Sequence, residues 1–275
     1  MQSDLEAAKA KAEATYNSAA DLFDAGSNGF WARHGQGTVD RLDLAPGASV
    51  LDVGCGTGAS AIPAAERVGP RGRIIAVDLA ENMLAQGRRA AEKRGLTNIQ
   101  FRRGDMTGLG FPDMHFDAVV SVFSIFFVPD MERQIAELWR MLRPGGQLAI
   151  TSWKASFLAP CVEPFWDEVA RLRPDLRRAF NPWERIDNRD SFHRVLKAGG
   201  LSNIEIEDHP DRQELADAED WWTVVLGSGL CWTVDQMLQA EAESLCRASV
   251  AWVEDNNVTS FDTSVLFARA RKAQA

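Results

Sequence analysis

The sequence predicts an α/β fold, in which a mostly parallel sheet carries helices on both faces. Short apolar segments alternate along the chain with helical segments of about 10–15 residues, as in parallel-sheet proteins. The apolar segments contain few polar residues, which is typical of strands buried on both faces. Three of these segments end in or near an aspartate, namely Asp52, Asp78 and Asp105. Because parallel strands end at one edge of the sheet, we expect a ligand site at that edge.

The N-terminal residues 1–40 precede the alternating part and are predicted to form a cap. Residues 3–24 are rich in Ala, Lys and Glu and predict a helix that ends at AGSNG. A short segment, FWARHGQGTVDRLDL, then leads to Pro46 and Gly47, which together predict a turn.

Strands and helices follow one another from this turn onward. The predicted strands are SVLDV, GRIIAVD, NIQFRRGD, HFDAVVSVF, QLAITSW, LSNIEIED and TSVLFARARK. The predicted helices are ASAIPAAERV, AENMLAQGRRAAEKRG, MERQIAELWRML, SFHRVLKAGG and a long helical segment from about 212 to 253. Pro63 is compatible with its helix only in the first turn, and Gly95 is a typical helix end.

Residues 1–275 are interpreted as a single domain, because no linker or internal repeat divides them. Within it we expect an N-terminal cap (1–40), a ligand-binding core (41–207), a helical insertion that covers the substrate (208–258) and a final strand (259–275). These are interpretations of the order of the predicted elements.

Composition and charge narrow the classes of partner. The net charge of −9 and the pI of about 5.1 argue against a general nucleic-acid surface. No run of 18 apolar residues predicts a membrane span, and the charged N-terminus does not resemble a signal peptide. The four cysteines are scattered, which indicates a reducing cytoplasm and no zinc or other metal site.

The segment VLDVGCGTG places a carboxylate and a glycine loop directly after the first strand. Gly54, Gly56 and Ala59, with Asp78 further on, satisfy the loose dinucleotide fingerprint, so a nicotinamide-dependent oxidoreductase is one alternative. The acids favour a different ligand, because a pyrophosphate beside Asp52 would be repelled. S-adenosylmethionine (SAM) carries an ammonium and a sulfonium and no phosphate. Opposite charges a few Å apart attract by about 4 kcal/mol at a dielectric near 20, before desolvation.

Five motifs together resemble the class I SAM-dependent methyltransferases, in particular the quinone-biosynthesis and natural-product enzymes. They are VLDVGCGTG, AVDLAENML, FRRGDM, FDAVVSVFSIFFVPD and LRPGGQLAITSW. The resemblance implies a Rossmann-like sheet of seven strands whose last strand is antiparallel and lies between two others. It also implies SAM as the cofactor and S-adenosylhomocysteine as the product.

The resemblance further implies a set of cofactor-binding residues. Asp52, Gly54, Cys55 and Gly56 would bind the methionine half of SAM, with Asp78 on the ribose. Leu79, Met83, Gly104, Asp105 and Met106 would surround the adenine. Ser121 would lie near the reacting centre, and the N-terminal Tyr16 and Trp31 would reach the cofactor from the cap.

The chain departs from many relatives after strand four, where it has FSIFF in place of a polar pair. The catalytic residue is therefore unassigned, and His34 is a candidate. The [DN]PP[YF] signature of amine- and base-methylating enzymes is also missing. A displacement at a sulfonium methyl needs a base only when the acceptor is weakly acidic. The absence of a base is therefore compatible with a carboxylate, phenol or enol acceptor, or with a neutral amine. Because the acceptor pocket is expected to be apolar, oxygen is the favoured acceptor atom, followed by carbon and then nitrogen.

Large aromatic residues predict where the acceptor binds. Phe123, Phe127, Trp153, Trp221 and Trp222 are candidates for a pocket that suits a small apolar or aromatic acceptor. The alternative is that the later tryptophans only pack the helical insertion. A SAM-binding protein without methyl transfer also remains an alternative. The expected partners are the acceptor and no nucleic acid or membrane, and the chain is expected to be a monomer or a homodimer.

Overall fold

The central feature of the computed structural model is a seven-stranded sheet. The structure describes residues 2–177 and 181–274. The strands are β1 (Ser49–Val53), β2 (Arg73–Asp78), β3 (Ile99–Arg103), β4 (Phe116–Val122), β5 (Leu142–Trp153), β6 (Glu205–His209), β7 (Arg212–Glu214), β8 (Ser260–Asp262) and β9 (Val265–Arg271). The main sheet has the order β3-β2-β1-β4-β5-β9-β6, and β9 runs antiparallel to both of its neighbours. The predicted fold class is confirmed, including the insertion of the last strand between two others.

Side chains alternate between the two faces of the central strands and form a core on each. In β1, Leu51 and Val53 belong to the larger core, whereas Val50 packs into a smaller core against α3 (Ala61–Val68). Asp52 follows the parity of Val50 and therefore points to the α3 side of the sheet. This orientation decides its environment in the site described below.

The helices cover both faces and one edge of the sheet. Besides α3 they are α1 (Gln2–Phe23), α2 (Phe30–Asp40), α4 (Glu81–Lys93), α5 (Met131–Arg140), α6 (Val162–Leu172), α7 (Arg189–Ala198), α8 (Glu219–Leu226), α9 (Cys231–Asp235) and α10 (Gln239–Asp255). Pro63 lies in the first turn of α3, as its helix required. No helix in the described ranges is long and apolar enough to cross a membrane.

Helix α2 was not predicted, because its segment contains two glycines that lower helix propensity. The structure explains Gly35, since a Cβ there would lie 2.4 Å from the backbone of Ala59. The helix thus passes very close to the loop that precedes α3. Helix α6 was also missed in the segment after β5, where the sequence shows no clear cap.

The prediction of one long helix from about 212 to 253 is wrong. The segment begins with β7, which pairs with β8 in a separate two-stranded sheet, and continues as α8, α9 and α10. The pairing places Gln213 opposite Phe261, a residue far along the chain. Such a contact leaves no local signal, and Gly227 and Gly229 interrupt the helical pattern after α8.

Candidate functional site

A cleft of about 880 Å³ lies at the carboxyl ends of β1, β2 and β4. Its floor is the loop after β1, one wall is the start of α4, and the opposite wall is the turn after β4. Helix α1 crosses its mouth and contributes Ala12, Glu13 and Tyr16. The position agrees with the ligand edge that the strand ends predict.

The loop after β1 needs glycine for steric and conformational reasons. Gly54 has a φ of +68°, and a Cβ there would lie 2.2 Å from the Cβ of Ser124. Gly56 has a φ of +52°, and its N–H donates to Asp78 Oδ2 at 2.8 Å. The loop therefore exposes bare backbone to the cleft and is tied to the end of β2.

Asp78 is half-buried at the end of β2 and lines the cleft. Its carboxylate also accepts the N–H of Ala80 at 2.9 Å. Burial raises the pKa of Asp78 above its ordinary value, and the backbone N–H groups of Ala80 and Gly56 oppose that shift. Each carboxylate oxygen retains a lone pair for a further donor, such as a hydroxyl of a ligand.

Asp52 lies behind the loop and does not line the cleft directly. It is 1% exposed, and its Oδ2 accepts the hydroxyl of Ser60 at 2.7 Å. Its Oδ1 has no hydrogen-bond partner among the described residues. Burial raises the pKa of Asp52 to about 7, against the opposing effect of the Ser60 hydroxyl. Ser60 lines the cleft, so this carboxyl lies one side chain below the surface.

Asp105 is not free to face the cleft, because it pairs with the N-terminal helix. Its Oδ2 lies 2.6 Å from Lys9 Nζ, and its Oδ1 accepts the N–H of Thr107 at 2.8 Å. Burial acts to raise the pKa of Asp105, but the Lys9 ammonium and the Thr107 N–H together lower it below its ordinary value. The neighbours Gly104 and Met106 line the cleft instead.

Polar contacts continue along one side of α1. Glu13 pairs with Arg103 at 2.5 Å, and the side chain of Asn17 accepts the N–H of Asn82 at 2.9 Å. Together with the Lys9–Asp105 pair, these contacts join α1 to β3, α4 and the loop that follows β3. We call these three pairs the α1 latch.

Ten of the residues predicted to bind the cofactor line this cleft, and three do not. Those that line it are Tyr16, Trp31, Gly54, Cys55, Gly56, Asp78, Leu79, Met83, Gly104 and Met106. Asp52 and Asp105 are placed as described above. Ser121 is fully buried and shares a hydrogen bond of 2.6 Å with Ser124, whose hydroxyl donates to the carbonyl of Val53. Ser124 lines the cleft in its place.

A second cleft of about 500 Å³ opens from the first. The two share four lining residues, Tyr16, Trp31, Phe123 and Phe127. Its wall includes a stack of three parallel rings. The ring centroids of Phe123 and Trp153 lie 3.6 Å apart with an interplanar angle of 2°. Those of Trp153 and Phe157 lie 3.7 Å apart with an interplanar angle of 11°. Trp166, Trp183, Phe126, Leu158, Val162, Leu230, Asn181, Ser228 and Gly229 complete the lining.

The backbone is strained at two points of this second cleft. Phe123 has a φ of +54° and Leu158 a φ of +68°, a region that bulky residues seldom adopt. The N–H of Phe123 donates to the carbonyl of Thr151 at 3.0 Å, which ties the turn after β4 to the end of β5. Strain of this kind is concentrated at functional sites.

The described lining of the second cleft contains no carboxylate, imidazole, amine or guanidinium side chain. Its titratable group is the phenol of Tyr16. Cys55, in the first cleft, is not a nucleophile candidate, because burial raises the pKa of its thiol well above the ordinary value. The described residues also contain no cluster of three or more His, Cys, Asp or Glu side chains that could hold a metal ion.

Trp221 and Trp222 were predicted to line the acceptor pocket, but the structure brings neither to the two clefts. Trp221 is 1% exposed and packs edge-on against Phe261 at 5.9 Å. Both residues lie on α8, which packs against α1 and α10. The packing interpretation is therefore the one that the structure supports for this pair. The insertion reaches the second cleft instead through residues 228–230, which join α8 to α9.

His34 was the candidate catalytic residue, but it lines neither cleft. It is 2% exposed and contacts Phe123 and Trp153 on their far side, with ring centroids at 5.8 Å. Its Nε2 lies 3.3 Å from Asp211 Oδ2. Burial lowers the pKa of His34 to about 4, despite the opposing carboxylate. His34 follows Trp31 by about one turn of α2, and Trp31 lines both clefts whereas His34 lines neither.

Several lining residues had no signal in the sequence analysis. Phe157 looks like an ordinary core aromatic, and no motif contains Asn181 or residues 228–230. Phe126 lies in the motif FDAVVSVFSIFFVPD, and Trp166 and Trp183 belong to the later tryptophans, but none of these three was singled out. An indirect signal existed for Asp52, because the alternation of β1 places its side chain on the α3 side of the sheet.

Comparison with known proteins agrees with this geometry. The family model described as "Methyltransferase domain" matches residues 50–146, which include the glycine loop and the ends of β1 to β4. The aklanonic acid methyltransferase DauC of Streptomyces sp. (strain C5) is 34% identical over 187 residues, which cover 64% of this chain and 84% of that protein.

A second relative and a solved structure extend the comparison. The nocamycin O-methyltransferase of Saccharothrix syringae is 39% identical over 132 residues, which cover 48% of this chain and 47% of that protein. The crystal structure of the YcgJ protein of Bacillus subtilis has a TM-score of 0.57 at 18% identity and covers 88% of this chain and 100% of that chain. At this identity the structural likeness concerns the fold.

Proposed function

Because this chain belongs to the class I SAM-dependent methyltransferases, we propose that its acceptor is a small, flat and largely apolar molecule that is methylated on an oxygen. Carbon is the second choice of acceptor atom and nitrogen the third. SAM is the cofactor of the family and supplies an electrophilic methyl group on a sulfonium. The proposal concerns the acceptor and the residues that hold the two molecules.

The observation that carries the proposal is the second cleft. It is walled by aromatic rings, shares four residues with the first cleft and contains no charged side chain among its described residues. Aromatic walls favour a flat acceptor and exclude water from it. Because no carboxylate or imidazole is present to remove a proton, an acceptor that is already acidic fits best. Carboxylic acids, phenols and enols meet this requirement, and each is methylated on oxygen.

The first cleft fits the charge and shape of SAM. The unpartnered Oδ1 of Asp52 and the carboxylates of Asp78 and Glu13 offer negative charge to a cationic ligand. Asp52 would attract the ammonium from below the loop, and Asp78 would accept the ribose hydroxyls. Leu79, Met83, Gly104 and Met106 would surround the adenine, and Tyr16 would approach the carboxylate. We assign Asp105 to the α1 latch rather than to the adenine.

The residues of the chain then act mainly by positioning. The stacked rings of Phe123, Trp153 and Phe157 would hold the acceptor plane, and Phe123 and Phe127 of the turn after β4 line both clefts. Holding two reactants in near-attack geometry can lower a barrier by about 7–11 kcal/mol. Helix α1 and residues 228–230 limit the access of water from two sides. We therefore keep 1–40 as a cap and 208–258 as a substrate cover within one domain.

An acceptor screen that measures S-adenosylhomocysteine tests the proposal. Purified protein and SAM are incubated with aromatic carboxylic acids, phenols, enolised diketones and aromatic amines of matched size. We expect product with the acidic oxygen acceptors and none with the same compounds after their oxygen has been blocked by a methyl group. Product formation confined to the amines would contradict the proposal.

Location and assembly remain part of the proposal. The four cysteines are free, which supports a reducing cytoplasmic compartment. The net charge of −9 argues against a nucleic-acid partner. The acceptor cleft is built from one chain, so a monomer suffices, and a homodimer is compatible with it.

A further inference from the structure

The indole of Trp31 has a buried N–H group without a partner. Trp31 is 6% exposed and lines both clefts, and its Nε1 makes no hydrogen bond with the described residues. Buried donors are nearly always paired, because an unpaired one loses its hydration without compensation. At a position that lines two ligand clefts, the missing partner is best explained as an atom of a ligand.

The ring is held in place on several sides. Phe23 stacks on it with a centroid distance of 4.6 Å and an angle of 14°. The rings of Phe123 and Trp153 meet it edge-on at 5.5 and 5.3 Å. The indole therefore has little freedom to turn its N–H toward water or another protein group. Trp31 itself lines both clefts, so it lies where a methyl donor and an acceptor would meet.

The acceptor needs this donor more than the cofactor does. The cofactor cleft already offers exposed backbone, Asp78 and the carboxylate beneath Ser60. In the acceptor cleft, the amide of Asn181 donates to Glu184 at 2.8 Å, and the hydroxyl of Ser228 donates to the carbonyl of Val225 at 3.3 Å. The Nε1–H of Trp31 is a buried side-chain donor in this lining for which the described residues supply no acceptor.

We propose that the Nε1–H of Trp31 donates a hydrogen bond to the acidic oxygen group of the acceptor and stabilises its anion. This inference rests on the proposed function, because it assumes an acidic oxygen acceptor. The acceptor releases its proton to bulk water on binding. An oxygen lone pair then forms the new C–O bond while the C–S bond breaks and its electron pair stays on sulfur, so no proton moves in the transfer. Trp31 positions the acceptor and stabilises its anion, so no side chain has to act as a general base.

The titratable groups around Trp31 do not compete for this role. Glu13, Asp78 and Cys55 face it from the cofactor cleft, and Tyr16 faces it from α1. On its own helix, Arg33 pairs with Asp211 at 2.9 Å, and His34 also lies against Asp211. Because indole does not titrate in the working range, the acid limb of the kcat profile, measured at saturating SAM and acceptor, reports the bound acceptor.

Trp31→Phe removes the N–H and keeps an aromatic ring. With an acceptor identified by the screen, we expect kcat below the pKa of the bound acceptor to fall about tenfold or more, the size expected for a lost hydrogen bond to an anion. The acid limb of the profile should also move to higher pH. Trp183→Phe is the matched control, because it removes an indole from the same cleft and should leave the position of the acid limb unchanged.

Three results would overturn the inference. An equal fall in the kcat of Trp31→Phe at all pH values would show that the Trp31 side chain has only a structural role. An acid limb at the same pH in Trp31→Phe and in the wild type would show that the N–H does not act on the anion of the acceptor. A tenfold loss of S-adenosylhomocysteine affinity in calorimetry would assign the N–H to the cofactor. Failure of the proposed function is distinct, because the wild type would then form no product with acidic oxygen acceptors.

A measurement on the wild type keeps the inference testable even if the variant does not fold. Para-nitrophenol is titrated spectroscopically in the presence of the protein and S-adenosylhomocysteine. We expect the pKa of the bound phenol to be lower than that of the free phenol, because the Trp31 N–H favours the phenolate. A raised pKa of the bound phenol would contradict the inference.

Discussion

The two clefts of this methyltransferase, which we propose hold the cofactor and the acceptor, meet at the same four aromatic residues but are built in different ways. The cofactor cleft uses the ends of adjacent parallel strands, and its key groups are backbone N–H groups and carboxylates. The acceptor cleft collects side chains from 123–127, 153–166, 181–183 and 228–230 and contains mainly aromatic rings. The first is set by local conformation, since each strand end fixes its own loop. The second is set by the packing of segments that are distant in the sequence.

This difference predicts where substitutions act. Changes at the cofactor cleft should alter SAM and S-adenosylhomocysteine binding, whereas changes in the aromatic wall should alter stability and acceptor use. The predictions below run from the largest expected effect to the smallest.

The largest effect is expected for Trp153→Ala. Trp153 is 2% exposed and lies between Phe123 and Phe157 in the stack. Its removal should lower the free energy of unfolding by about 3–5 kcal/mol, because it leaves a cavity. Denaturant titration measures this loss. The milder Trp153→Phe should bind S-adenosylhomocysteine as the wild type does, and a large loss of that affinity would contradict the separation of the two clefts.

Asp78→Ala should act on the cofactor side. Losing the carboxylate that would accept the ribose hydroxyls should weaken S-adenosylhomocysteine binding by about 1.5–3 kcal/mol, measured by calorimetry. Asp78→Asn removes the negative charge but keeps the shape of the side chain, because its amide oxygen can still accept the N–H of Gly56 or Ala80. Comparing it with Asp78→Ala therefore separates the effect of the charge on affinity from the effect of the shape. Unchanged affinity in Asp78→Ala would refute the assignment.

Asp52 should make cofactor binding depend on pH. In the free protein burial raises its pKa to about 7, whereas a bound ammonium favours the carboxylate. Binding should therefore release a proton below pH 7, and affinity should rise with pH by at most about tenfold per unit in that range. Calorimetry in buffers of different ionisation enthalpy measures the proton. Asp52→Asn should show no such release, and a wild type without it would refute the role.

The same shift predicts the direction of a stability change. The carboxyl of Asp52 ionises in the unfolded chain near its ordinary value of 3.8 but in the folded chain only near 7. Between these pH values the folded state holds more protons, so this group makes the free protein less stable as the pH rises. His34 has the opposite sign, because its folded pKa of about 4 lies below the ordinary 6.5. Its contribution is lost as the pH falls from about 6.5 to 4.

The smallest effect is expected for the α1 latch. Lys9→Ala removes the pair with Asp105, and partly exposed pairs contribute about 0.2–1 kcal/mol, so affinity should change only a few-fold. Arg67→Ala is the matched control, because it breaks a surface pair with Asp40 outside the cofactor cleft.

Hydrogen exchange shows whether the latch opens. We expect residues 10–35 to exchange more slowly when S-adenosylhomocysteine is bound, with a smaller difference in Lys9→Ala. Equal protection with and without the ligand would mean that α1 is a fixed cover.

The sequence by itself determined the sheet, the glycine loop and most of the cofactor cleft. The reason is that strand ends, positive-φ glycines such as Gly54 and the aspartate at the end of β2 depend on local geometry, which local sequence specifies. Only the tertiary structure decided that Asp105 pairs with Lys9, that His34 packs against the aromatic stack and that Trp221 lines neither cleft. Each of these depends on which distant segment packs against the residue. The acceptor cleft is made wholly of such contacts, and no short stretch of sequence encodes them.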